Sequence, residues 1–260
     1  MAEVTGADGT VLYWDEAGAG ASDASPAVLL VHGITESHET WQPVIDRLRN
    51  THRVVWLDLR GHGRSSPADR YDLEAMAGDV IAVSAAAGLD RPHLVGHSLG
   101  GAVVSAVGAA LPVRSVTNVD QSLQLGAFKD LLAAVEDDLR NPDTSPLVID
   151  GFFGQMFGDR LAAPERERLT RLRRPDQDVV LGAWEMIFAL SADEIDAAVD
   201  AALAGYAERD VRYLSLFGID PGPDYADWLM SPIAGAVVEV WAEHGHYPHL
   251  VDPDRFVARL

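Results

Sequence analysis

With 260 residues and 48% hydrophobic content, the chain is long enough for one large core carrying an insertion, and disorder is not its expected state. Its 40 acidic residues against 20 basic ones give a formal charge of −20, which repels phosphate backbones and anionic membrane surfaces, so neither a nucleic-acid nor a membrane partner is expected. No cysteine is present, which excludes disulfides, thiolate metal sites and a cysteine nucleophile; with no apolar run of bilayer length and no signal-peptide pattern in the first twenty residues, a cytoplasmic protein is expected.

Taken in order, Glu3-Val4-Thr5, a turn at Ala7-Asp8-Gly9 and Val11-Leu12-Tyr13-Trp14 predict an antiparallel hairpin. A Gly/Ala/Ser-rich loop over Gly18–Pro26 precedes Ala27-Val28-Leu29-Leu30-Val31, a continuous apolar run of the kind covered on both faces of a sheet. Trp41, Val44, Ile45 and Leu48 recur at helical spacing before a second buried strand at Arg53–Leu57. Further on, Leu73–Ala87 reads as a helix, His93–Val95 as a strand, Gly101–Leu111 as a small-residue helix and Val113–Val119 as a strand. From about Gln121 to Gly205 the pattern is helical with acidic faces and no strand. Strand character returns at Val211–Phe217 and Ala236–Trp241, and a helix closes the chain over Asp254–Leu260. The alternation predicts a doubly wound, mostly parallel α/β sheet, built from residues 1–120 and 206–260, with a helical cap inserted at 121–205.

Directly after the strand at His93–Val95 stands Gly96-His97-Ser98-Leu99-Gly100, a G-x-S-x-G string. A serine on a sharp strand-to-helix turn needs small neighbours so that the helix can approach the strand, and Gly96 and Gly100 provide them. Ser98 is therefore the candidate nucleophile. A serine hydroxyl needs a base at neutral pH. Of nine histidines, His246 lies just past the last strand, where a loop returns it to the carboxyl edge of the sheet; His244 and His249 compete with it. These three histidines have no acidic partner at H-E-x-x-H spacing, so no metal is expected. To orient the imidazole, two aspartates follow strands, Asp220 and Asp120, and Asp220 is preferred. For the oxyanion, the expected donors are the backbone N–H groups of Leu99 and of Ile34, the latter in the loop His32-Gly33-Ile34. His32 reads as a structural hydrogen-bonding residue.

These residues resemble the α/β-hydrolase superfamily, in particular its capped members, over essentially the whole chain. The matching pieces are His32-Gly33 with Trp41, Asp58-Leu59-Arg60-Gly61-His62-Gly63-Arg64-Ser65, Gly96–Gly101, and Gly245-His246 ahead of Asp252-Pro253. The resemblance implies the triad order Ser98, Asp220, His246, with structural roles for Asp58 and His62. It departs from the common pattern in having only Ile219 between Gly218 and Asp220, and some relatives place the acid after the earlier strand, which keeps Asp120 as the alternative. Relatives that open epoxides or displace halide attack with aspartate, so a serine here implies acyl transfer to water.

Two clusters in the cap, Phe152–Phe157 and Trp184–Phe188, suggest an apolar roof over a small-molecule pocket. Trp41, Phe153, Met156, Phe157, Trp184 and Phe188 are expected to bind substrate. The reading is a serine esterase or lactonase that needs no cofactor, acts on a small hydrophobic or aromatic substrate as a monomer or homodimer, and shows a pH limb near neutrality. The alternatives are a carbon–carbon bond hydrolase or perhydrolase with the same triad, and a ligand-binding receptor on the same fold.

Overall fold

The computed structural model describes residues 2–18 and 27–260, so the loop expected over Gly18–Pro26 lies, past Gly18, outside the described residues. The expected hairpin forms between β1 (Ala2–Thr5) and β2 (Val11–Ala17), its turn closed by Asp8, whose carboxylate accepts the Thr10 N–H at 3.1 Å. β2 pairs antiparallel with β4 (Val54–Leu57). From β4 onward every pairing is parallel, through β3 (Val28–Val31), β5 (His93–His97), β6 (Ser115–Val119), β7 (Arg212–Phe217) and β8 (Val237–Val240). The eight strands lie in the order β1-β2-β4-β3-β5-β6-β7-β8. All four residues of β3 and of β4 are buried, as continuous apolar runs require of strands covered on both faces.

On one face, α2 (Leu73–Ala86) and α3 (Leu99–Ala110) pack their valines and alanines onto the sheet. Asp72 caps α2 by accepting the Ala75 N–H at 3.0 Å. On the other face lie α1 (Gln42–Leu48) and the closing helices. Between β6 and β7 the chain forms six helices: α4 (Lys129–Ala133), α5 (Glu136–Arg140), α6 (Ser145–Gln155), α7 (Ala163–Leu172), α8 (Gln177–Ala189) and α9 (Ala192–Leu203). These helices have an apolar centre of their own, Leu132, Leu139, Ile149, Phe153, Val180, Trp184, Ile187 and Ile195, and it closes onto Ile34 in the loop after β3.

The remaining helices are α10 (Tyr225–Met230), α11 (Pro248–Val251) and α12 (Pro253–Arg259). α10 and α11 are not visible in the sequence pattern, because segments of six and four residues are too short to display a 3.6-residue period.

Trp41 corrects an expectation. It is fully buried beneath the sheet, with its ring 4.6 Å from His249 and 6.4 Å from Phe256, and so belongs to the core and not to a substrate pocket.

Candidate active site

Ser98 sits between β5 and α3 with φ 51° and ψ −126°, a conformation that costs a non-glycine residue strain. The turn is held by Ser98 N–H to the Val119 carbonyl at 2.9 Å and by Gly101 N–H to the Ser98 carbonyl at 2.6 Å. Its neighbours must be glycine. A Cβ on Gly96 would stand 2.0 Å from the Gly100 carbonyl oxygen, and one on Gly100 would stand 2.4 Å from the Val31 carbonyl oxygen.

His246, in the loop between β8 and α11, is 3% exposed. Its Nδ1 donates to Asp120 Oδ2 at 2.7 Å, while Nε2 has no hydrogen-bond partner among the described residues. Burial pushes the His246 imidazole below its ordinary pKa, the bond to Asp120 opposes that, and the nearby His97 adds to the depression. Asp120 follows β6 at φ 54°, and its Oδ1 accepts the N–H groups of Gly218 at 2.6 Å and Ile219 at 3.2 Å.

The structure therefore overturns the preference for Asp220. That residue is exposed, and its Oδ1 accepts the Gly222 N–H at 2.9 Å in a local turn. The reason is steric. The His246 loop lies directly on the end of β7, where a Cβ on Gly218 would be 2.0 Å from the Gly245 carbonyl oxygen. The carboxylate facing His246 at that point is the one arriving from β6, while Asp220 is already past the turn. The single-residue spacing between Gly218 and Asp220 is the sequence signal of this arrangement.

Ile34 follows β3. The N–H groups on either side of it are engaged, Gly33 with Glu36 Oε2 at 3.1 Å and Thr35 with His62 Nε2 at 3.2 Å, while the Ile34 N–H has no acceptor among the described residues. Leu99 is the first residue of α3, where an N–H has no acceptor within the helix. His32 and Asp58 brace this region: His32 Nδ1 donates to the Gly33 carbonyl at 2.7 Å and Nε2 accepts from Leu59 N–H at 3.1 Å, and Asp58 accepts from the N–H groups of His38 and Arg64 at 2.7 and 2.9 Å. The competing histidines do not meet Asp120: His244 bonds the Ala242 carbonyl, and both His249 nitrogens are buried with no hydrogen-bond partner among the described residues.

Ser98, His246, Asp120, Ile34 and Leu99 all line one cavity of about 290 Å³ beneath the inserted helices. Phe153, Met156 and Trp184 line it, together with Phe152, Met186 and Ile187 from the same two clusters and with Leu125 and Phe128, to which the sequence pattern gave no lining role. Phe128, Phe152 and Trp184 meet edge to face, with centroids 6.0 to 6.1 Å apart. Two expected lining residues are corrected. Phe157 packs on Tyr247 at 5.5 Å in a separate cluster, and Phe188 lies under the Arg140 guanidinium at 5.1 Å. None of the described lining residues is lysine or arginine, while Asp72 and Asp220 are among them. The inserted segment also holds the site's loops: the Met156 carbonyl accepts the His246 N–H at 2.8 Å, and Arg174 N–H bonds the Thr35 carbonyl at 2.8 Å.

Residues 28–259 match the model of the alpha/beta hydrolase family. The chain is 32% identical over 267 residues to the pimeloyl-[acyl-carrier protein] methyl ester esterase of Pectobacterium carotovorum, covering 96% of each chain. It is 36% identical over 265 residues to the dihydrolipoyllysine-residue acetyltransferase component of the acetoin cleaving system of Cupriavidus necator, covering 97% of this chain and 66% of that protein. An esterase from Exiguobacterium antarcticum superposes with a TM-score of 0.75 at 21% identity, over 99% of this chain and 96% of that one. The chain thus belongs to the alpha/beta hydrolase family, and its relatives support a hydrolase on this fold. Among the described residues no helix is long and apolar enough to cross a membrane.

Proposed function

We propose that this protein is a serine hydrolase that cleaves uncharged, hydrophobic carboxylic esters or lactones through an acyl-enzyme on Ser98. The reading is carried by one observation: a serine on a strained elbow and a histidine bonded to a buried aspartate open onto the same apolar cavity. Ser98 Oγ attacks the carbonyl carbon as its proton passes to His246 Nε2, and Asp120 stabilises the imidazolium that forms. The oxyanion is taken by the Ile34 and Leu99 N–H groups. Collapse of the tetrahedral intermediate breaks the bond to the leaving oxygen, which receives the proton from His246. A water activated by the same histidine then releases the acid, or, for a lactone, the hydroxy acid. This chemistry needs no cofactor. The ester class agrees with the name of the Pectobacterium relative. An uncharged substrate follows from a lining that offers aromatic and aliphatic carbon and no cation to offset the desolvation of an anionic group.

The test is labelling with a fluorescent fluorophosphonate. Wild type is expected to be labelled, and Ser98→Ala and His246→Ala are not; Ser98→Ala is also expected to lose roughly 10⁴- to 10⁶-fold in kcat with binding largely kept. A folded wild type that is neither labelled nor active on p-nitrophenyl esters overturns the proposal.

A further inference from the structure

Behind Ser98 lies a second group of titratable side chains that acyl transfer leaves unused. Glu36, His97, Tyr247 and His249 are all buried, His97 to 1% exposure. Glu36 stands on the loop after β3, two residues beyond Ile34, and His97 is the residue before Ser98. Glu36 Oε2 accepts the Gly33 N–H at 3.1 Å and the Thr40 hydroxyl at 3.4 Å, and faces His97 Nδ1 at 3.3 Å. His97 Nε2 lies 2.8 Å from the His246 carbonyl oxygen. Both ring nitrogens of His97 therefore face acceptors, one a carboxylate and the other a carbonyl. A neutral imidazole carries a single N–H and would set a lone pair against an oxygen on one side; an imidazolium satisfies both. The pair is also close to the reacting atoms. A Cβ built on Gly33 would stand 3.1 Å from Ser98 Cβ and 3.2 Å from the Glu36 carboxyl carbon, so only this glycine separates them.

We propose that Glu36 and His97 form a buried carboxylate–imidazolium pair that positions the oxyanion loop, the serine elbow and the His246 loop against one another and disfavours a proton on His246. The inference rests on the serine-hydrolase reading for the roles of Ser98 and His246, whereas the charge state of His97 is independent of it. Stability does not account for the pair, because apolar residues of similar volume commonly match or exceed a buried ion pair. What an apolar pair cannot do is bond Gly33, which precedes the Ile34 donor, and the His246 carbonyl through one short chain.

The surroundings agree with a charged His97. Burial pushes it down, but Glu36 outweighs burial and leaves its pKa raised. Burial pushes Glu36 up, and His97 with the Gly33 N–H outweighs that, holding it well below the usual carboxylate range. Facing His97 are Glu36 from the β3 loop, His246 and Tyr247 at ring distances of 4.6 and 4.9 Å, His249 at 4.6 Å, and Asp120 from the end of β6. Tyr247 also meets Arg173 from the inserted segment, and it stays protonated because burial raises its pKa. His249 is held neutral by burial and by the charge on His97. The imidazolium in ring contact with His246 opposes a second positive charge there more strongly than the more distant Glu36 carboxylate favours one.

The experiment uses the whole protein with [15N]histidine and long-range ¹H–¹⁵N spectra from pH 6 to 9, alongside kcat/KM profiles and phosphonate labelling rates of wild type and Glu36→Gln. The expected result is one imidazole with both nitrogens protonated throughout this range, lost in Glu36→Gln. The variant is expected to lose roughly 10- to 100-fold in kcat/KM, mainly in kcat, with its acid limb moved to higher pH. A wild type that is labelled by the phosphonate but has a neutral His97 at pH 7 overturns the pair. A folded Glu36→Gln with unchanged kcat and pH limb overturns the positioning role. A wild type with the imidazolium signal but no labelling and no esterase activity overturns the hydrolase reading, and the positioning role with it.

Discussion

Replacing Asp120 with asparagine changes few atoms and reverses one hydrogen bond. Asp120 Oδ1 accepts two N–H groups, from Gly218 and Ile219, and Oδ2 accepts from His246 Nδ1. Asparagine has one oxygen and one NH₂, and the two fixed N–H donors claim the oxygen, so the NH₂ is turned toward His246. Nδ1 must then accept. The ring proton moves to Nε2, the nitrogen that takes the Ser98 proton in the proposed mechanism, and leaves the proposed base in the wrong tautomer. The expected cost is about 10⁴-fold in kcat, which at about 1.4 kcal/mol per tenfold is about 5.5 kcal/mol of transition-state stabilisation. Asp220→Asn keeps an oxygen for the Gly222 N–H and, although the residue lines the cavity, its carboxylate makes no hydrogen bond to His246, so the variant should stay within about threefold of wild type. Kinetics on a p-nitrophenyl ester measure both variants, and thermal melts confirm that they are folded. A folded Asp120→Asn that keeps a tenth of wild-type activity, or an Asp220→Asn that loses 10⁴-fold, would refute the assignment.

The pH dependence follows from the depressed His246. Only neutral His246 accepts a proton, so kcat/KM should be full above its folded pKa and fall as pH drops through it; the limb is expected below the ordinary 6.5 and not near neutrality, and a profile from pH 4 to 9 that breaks at 7 or above contradicts this. Matched esters probe the cavity lining: p-nitrophenyl hexanoate should exceed mono-p-nitrophenyl adipate in kcat/KM by at least about tenfold, a preference that equal rates would exclude. Away from the site, Arg60 forks onto Asp79 through Nε at 2.8 Å and Nη2 at 2.6 Å, with both side chains buried. Asp79→Ala leaves the guanidinium only its Nη1 bonds to the Asp8 carboxylate and the Arg70 carbonyl, at 2.7 and 3.0 Å, and should cost about 3 kcal/mol in urea unfolding, the low end for a broken buried pair, and a loss under about 1 kcal/mol would show the pair to be dispensable.

The fold was legible because its signals are local. Apolar runs at Val28–Val31 and Val54–Leu57 are short and valine-rich, as strands covered on both faces are, and the small residues around Ser98 leave a strand-to-helix elbow as their economical use. Ser98 and His246 could be read the same way, each from its place after a strand. The cavity could not. Apolar spacing says that Trp41, Phe153, Phe157, Trp184 and Phe188 are covered, but a core, a neighbouring loop and a cavity wall cover them equally well. Only the packing of the inserted helices put Phe153 and Trp184 on the cavity, Trp41 under the sheet and Phe157 on Tyr247.

The acid shows the same division. By itself the sequence determined that an aspartate follows β6 and another follows β7, because side-chain identity and strand order are written along the chain. Which of them meets His246 was decided by the tertiary structure. The Gly245 carbonyl packs onto Gly218, the turn at the end of β7 gives its two N–H groups to Asp120, and Asp220 is carried beyond reach. A hydrogen bond at 2.7 Å between residues 126 apart depends on how two loops pack, and no local pattern encodes that distance.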